Sequence, residues 1–172
     1  MVAKTPILSR AEQKQAAAAD RRPRRTVSFY RYVRIADPEA FRARLLEAWG
    51  ALECRGRIYV ASEGINAQMD VLVERWAEFD RWTQAQPELA GVPYKVAVAE
   101  GAVPSFYKLS VKVREKIVAD GLDDTSFDVT KTGAYLTAAE MNEYLDDPEA
   151  VVVDMRNAYE SEVGHFESAL CP

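Results

Sequence analysis

The residues with the widest chemical repertoire lie near the C-terminus, in the stretch RNAYESEVGHFESALCP from Arg156 to Pro172. It holds the single histidine, His165, and one of two cysteines, Cys171. With Asp154 just upstream, the spacing runs Asp-x-Arg, then Glu160, then Gly164-His165. A histidine works as a general base only with a nucleophile in hydrogen-bond reach. Cys171 lies six residues beyond His165, with no basic cluster around it to favour the thiolate. The residue types therefore favour structural roles: Arg156 pairing with Asp154 or Glu160 to fix a loop, and His165 as a satisfied, partly buried side chain. Cys54 and Cys171 are far apart and in no metal-ligand spacing, which predicts reduced thiols in a cytoplasmic protein and no metal site.

A second set of residues can bind rather than react. In GRIYVASEGINAQ, Arg57 can meet a phosphate, while Glu63, Asn66 and Gln68 can hydrogen-bond a base or hold the turn. Asn66 and Gln68 share a parity, so an extended chain sends them to one side. In PSFYKLSVKVREKIVADG (104–121), Tyr107, Leu109, Val111 and Val113 fall on one parity. Lys108, Ser110, Lys112, Arg114 and Lys116 fall on the other, giving either a solvated strand face or a phosphate-contacting edge centred on Lys112, Arg114 and Lys116. Tyr30, Tyr32 and Tyr59 offer stacking planes for an unpaired base, or simple packing.

The charge distribution bears on such partners. The net charge of −5 divides into +5 for residues 1–26, with seven cations and two acids, and −10 for the rest. The N-terminal residues 1–25, with AAAAD in the middle and RRPRR at the end, read as a basic, disordered arm. They suit a solvated tail, a phosphate-binding arm or an organellar transit remnant. An acidic body does not exclude nucleic acid, because the local field of a patch counts for more than the sum. No window holds the roughly 18 consecutive apolar residues of a membrane span, and no secretory apolar segment opens the chain.

The elements that must position these residues follow from periodicity. TVSFYRYVRI (26–35) alternates as a strand. In DPEAFRARLLEAWGAL, Asp37 caps a helix with Pro38 in its first position, and Phe41, Leu45, Ala48, Trp49 and Leu52 form its apolar face. Residues 55–71 read as two strands turning at Gly64, residues 72–85 as a helix with Leu72, Trp76 and Phe79 on one face, and residues 93–100 as a fourth strand. The order β-α-β-β-α-β predicts an α+β, ferredoxin-like fold over 26–119: a four-stranded antiparallel sheet with two helices on one face. Residues 120–133 read as a linker. From 134, Thr137 and Glu140 form a capping box. The apolar run AVVVDMRN (150–157) reads as a strand buried on both faces, the opening of an α/β domain.

The last segment, VVVDMRNAYESEVGHF, resembles the start of a rhodanese-like domain. Together with VSFYRYVRIADP, GRIYVASEGINAQ and KVREKIVADG, it makes the chain resemble the bacterial tRNA uridine(34) hydroxylases, from Val27 to Ala169. The resemblance implies an acylphosphatase-like (ferredoxin-like) domain joined to a rhodanese domain, of which residues 134–172 are an incomplete N-terminal part. It implies tRNA as partner, molecular oxygen as co-substrate with no evident cofactor, and 5-hydroxylation of wobble uridine 34. It also casts Asp154, Arg156, Glu160 and His165 as rhodanese scaffold. The family's essential cysteine belongs to a Cys-x-Gly-Gly-type loop, and no such stretch occurs in these 172 residues. The expectation is therefore a fragment without catalytic residues of its own. A stand-alone RNA-binding module and a sulfur carrier using Cys171 are the rival readings.

Overall fold

In the computed structural model, residues 9–97, 105–117, 131 and 133–172 are described. The chain divides into two compact units, residues 1–131 and 132–172. Nearly all of the expected linker, the end of the fourth expected strand and the first eight residues lie outside the described residues.

Unit 1 begins with α1 (Arg10–Ala19), followed by β1 (Arg24–Tyr32), α2 (Pro38–Ala51), β2 (Arg55–Ala61) and β3 (Gly64–Leu72). A single 3-10 turn (Val73–Arg75) leads into α3 (Trp76–Gln84), and β4 (Lys95–Val96) and β5 (Leu109–Val113) complete the sheet. The strand order is β4-β1-β3-β2-β5. The first four strands pair antiparallel in the ferredoxin-like order, and β5 adds a parallel edge against β2. The sheet thus has five strands where four were expected.

Local chemistry explains the elements. Asp37 accepts a hydrogen bond from the Ala40 N–H at 2.9 Å, and Pro38 opens α2 with φ already suited to a helix. Phe41, Leu45 and Trp49 of α2, with Phe79 of α3, bury one side of the sheet over Val27, Phe29, Ile58, Val60, Ile65, Ala67 and Met69. Trp49 sits at the centre of this layer. It meets Phe29, Phe79 and Trp82 edge-on or tilted, and its indole N–H donates to the buried Thr83 hydroxyl at 3.2 Å. Leu72, expected on the second helix, instead ends β3.

The β2–β3 hairpin turns at Ser62-Glu63, and Gly64 has φ +151°. A Cβ there would lie 2.1 Å from the Arg31 carbonyl oxygen, so the backbone of β1 can approach only a glycine. Glu63, a candidate base contact from the sequence, has a structural role: its carboxylate accepts the Ile117 N–H at 2.7 Å and fixes the chain beyond β5.

Residues 9–25 are not a disordered arm. Ser9 and Glu12 form a capping box, α1 runs ten residues, and β1 already starts at Arg24. The Asp20 carboxylate receives hydrogen bonds from Arg22 Nε (2.9 Å), Arg24 Nη2 (3.1 Å) and Arg55 Nη2 (2.8 Å). Arg22 also donates to Glu53 at 2.7 Å, and Arg24 Nη1 to the Glu53 carbonyl at 2.9 Å. Two of the four arginines of RRPRR, Arg22 and Arg24, are thus paired with tertiary partners that composition does not show.

Unit 2 contains α4 (Ala138–Leu145) and α5 (Ala158–Val163). Thr137 and Glu140 form the expected capping box on α4. The run 150–157, expected as a buried strand, forms only an isolated parallel bridge between Val153 and Leu170. Val151 is 75% exposed and Val153 48%. An apolar run becomes a buried strand only when neighbouring strands supply ladder partners on both sides.

Candidate nucleic-acid interface

Two sides of the unit 1 sheet follow from the alternation of side chains along each strand. Residues of one parity face the helices. Those of the other parity form ordered rows across β1, β3, β2 and β5. One row is Tyr30, Asn66, Tyr59 and Lys112; the next is Ser28, Gln68, Arg57 and Ser110. Arg57, Asn66, Gln68 and Lys112, which come from three different strands, therefore share one surface. Tyr30 is 49% exposed on it, and Arg57, Gln68 and Lys112 are exposed as well.

Arg114 joins the same surface from just beyond β5. Its N–H donates to the Val60 carbonyl at 2.8 Å, and its guanidinium stands 5.5 Å from the centroid of the Tyr59 ring. Lys116, the third member of the expected basic edge, is half-buried next to the anchored Ile117. The parity argument grouped Lys112, Arg114 and Lys116 on one edge; the strand ends at Val113, so Lys116 is not carried onto the row of Lys112.

Among the described residues, Arg57 and Lys112 form no ion pair. This contrasts with Arg22, Arg24 and Arg55, which converge on Asp20. Hydrogen bonds from Arg22 hold the Asp20 carboxyl well below its ordinary range, with Arg24 adding to the effect against the opposing cost of burial. At the same end of the sheet, Asp70 is buried and accepts from the Thr26 hydroxyl at 2.7 Å and the Phe106 N–H at 3.0 Å. Asp20, Glu63 and Asp70 are each held by structural partners, whereas Arg57 and Lys112 on the β2–β5 side form no ion pair among the described residues.

In unit 2 the expected scaffold residues do come together. Arg156 grips Asp154 with two parallel hydrogen bonds, Nε to Oδ1 at 2.9 Å and Nη2 to Oδ2 at 2.6 Å, and also donates to the Gly164 carbonyl at 2.6 Å. Side-chain hydrogen bonds from Arg156 lower the Asp154 pKa to about 2. Glu160 caps α5 with Asn157. His165 Nδ1 donates to the Ser161 carbonyl at 2.9 Å, although the ring itself is exposed rather than partly buried. Asp154, Arg156 and His165 line a groove of about 480 Å³.

The two cysteines have different surroundings. Cys54 is buried, and burial pushes its thiol up to about 12. Cys171 is exposed, with Sγ 3.8 Å from the Ala169 carbonyl oxygen. Among the described residues there is no cluster of three or more His, Cys, Asp or Glu that could hold a metal ion. No described helix is long and apolar enough to cross a membrane.

The class defined by this architecture is an α+β, ferredoxin-like domain with an open, polar sheet surface. Residues 24–117 match the family model of the UPF0176 acylphosphatase like domain, and the chain belongs to that family. Three curated relatives carry the name tRNA uridine(34) hydroxylase. The protein from Erwinia tasmaniensis is 50% identical over 95% of this chain and 47% of its own length. That from Salmonella newport is 47% identical over 95% and 47%, and that from Escherichia coli is 49% identical over 88% and 43%. The chain therefore spans about half the length of these relatives. Among solved structures, the dark-state structure of BlrB, a BLUF protein, matches 56% of this chain and 76% of that chain at 16% identity and a TM-score of 0.42.

Proposed function

We propose that this chain is the tRNA-engaging part of a tRNA uridine(34) hydroxylase, with the open sheet surface of unit 1 as the RNA interface. The observation that carries the reading is the combination of about 50% identity to proteins of that name with unpaired cations beside aromatic and amide side chains on one surface. Phosphate contacts from Arg57, Lys112 and Arg114 would supply most of the affinity. Asn66 and Gln68 present both donors and acceptors to base edges, and Tyr30 and Tyr59 present ring planes.

The reaction proposed for the longer protein is oxygen-dependent hydroxylation at carbon 5 of wobble uridine 34. Molecular oxygen is the co-substrate in this reading. Unit 2 is proposed as the opening of a rhodanese-like domain, in which Asp154, Arg156, Glu160 and His165 order the turn after the Val-rich run. The contribution assigned to the present residues is binding and orientation of tRNA, with Cys54 an unreactive buried thiol.

Binding of unmodified tRNA to the 172-residue chain tests the reading. Filter binding at several salt concentrations should give an affinity that falls steeply with salt. Salt-independent binding, or none, would remove RNA from this surface.

A further inference from the structure

On the β2–β5 side of the open surface, α1 and the segment 105–108 enclose a cleft of about 450 Å³. Four cationic residues line it, Arg10 of α1, Arg57, Lys108 and Lys112, together with the rings of Tyr59 and Tyr107. None of its lining residues is acidic. The Lys14 and Lys108 ammonium groups both stand 5.8 Å from the Tyr107 ring centroid, so this ring gathers positive charge at the wall formed by α1. Glu12, an acid on α1, is turned to cap Ser9, with its carboxylate 2.7 Å from the Ser9 N–H.

We infer that this cleft takes one nucleotide of an unpaired RNA segment, its phosphate among Arg10, Arg57, Lys108 and Lys112 and its base against Tyr59. The inference rests on the reading of the open surface as an RNA interface, and it narrows the ligand from RNA in general to single-stranded RNA. Charge selects the occupant: an acid-free pocket with four cations repels cationic ligands and attracts an anionic one such as a phosphate. Size selects within RNA, since a cleft of this volume is of the kind that encloses a single small-molecule-sized group. A duplex presents its phosphates on the outside of a rigid rod and keeps its bases stacked within. The helix α1 forms one wall of the cleft, and the Asp20 cluster ties that wall to β1 and β2.

The test compares fluorescence anisotropy of the 172-residue chain with a short unstructured RNA strand and with the blunt duplex of the same sequence. The expected result is about tenfold tighter binding of the single strand, the scale of one base–aromatic stack. The exposed pair Arg10→Ala and Lys108→Ala, combined, should weaken single-strand binding about tenfold and flatten its salt slope by about 1.4. A circular-dichroism melt of that variant shows whether the fold is intact, and Tyr59→Leu offers a second, uncharged probe that should erase the preference for the single strand. Equal affinity for strand and duplex, or no change in the double variant, overturns the cleft. If Arg57→Ala with Lys112→Ala still weakens tRNA binding in that case, the sheet-surface reading stands while the cleft falls. If neither pair matters, both fall.

Discussion

The two sides of the unit 1 sheet are built from the same strands yet obey different physics. On the helix side, Ile58, Ile65, Ala67 and Met69 are fully buried and Trp49 fills the centre. On the other side, neighbours along the same strands are Arg57, Asn66, Gln68 and Tyr59, exposed or half-buried. The period of two in the backbone lets one segment carry stability on one face and recognition on the other. Substitutions on the two faces should therefore separate: helix-side changes unfold the domain, while open-side changes leave it folded and alter binding.

The largest effect is expected at the centre of the helix side. Trp49→Ala should cost about 3–5 kcal/mol in chemical denaturation, because it removes a buried ring from contact with three others and orphans the Thr83 hydroxyl. A loss below about 1 kcal/mol would mean that the core is not organised around this residue. Next comes Gly64→Ala, with an expected cost of about 2–4 kcal/mol, since a Cβ cannot share space with the Arg31 carbonyl. This hairpin joins both faces, so the variant should lose stability and RNA binding together.

A smaller effect belongs to the latch that holds α1. Asp20→Asn should destabilise by about 1–2 kcal/mol at neutral pH, as Arg24 is buried and loses its carboxylate partner. Because the folded-state pKa of Asp20 lies below its ordinary value of 3.8, the carboxylate's stabilisation is fully present above about pH 4. It is lost as pH falls through the lower folded-state value. Melts of the two proteins should therefore converge on acidification below about pH 4 and stay apart above it.

The apolar runs of the two units, each considered by itself, sharpen the same lesson. Ile58 lies between ladder partners on both sides, Ala67 and Val111, whereas Val153 has a single bridge to Leu170. Amides of 58–61 should thus be far better protected in hydrogen exchange than those of 151–154. Equal protection would show that the Val-rich run is paired more extensively than one bridge. Val151→Ala should change stability by less than about 0.5 kcal/mol, against about 2–5 kcal/mol for Ile58→Ala.

These contrasts also mark how far the sequence could be read. The helix α2 was fully legible, because capping by Asp37, Pro38 at its start and the Phe41–Leu45–Trp49 spacing are all local. The hairpin and its glycine were legible for the same reason. The parallel edge strand β5 was not: its alternation was visible, but its choice of β2 as partner depends on contacts about fifty residues away. The order of α1 was hidden too, since its anchor is a cluster joining Asp20 to Arg55 across the fold. The candidate surface was half legible. Individual residues were identifiable by type, but only the strand register places Lys112 beside Tyr59 and Arg57 beside Gln68. Arg10 and Lys108 were missed as cleft residues because nothing local links α1 to the segment before β5.

The most direct test of the proposed RNA surface is a salt titration of tRNA binding by the 172-residue chain and its Arg57→Ala, Lys112→Ala double variant. Both side chains are exposed, so the melting temperature should be nearly unchanged. The account predicts an affinity lower by about tenfold or more near physiological salt and a salt slope shallower by about 1.4–1.8. An unchanged affinity and slope in a folded variant would contradict it.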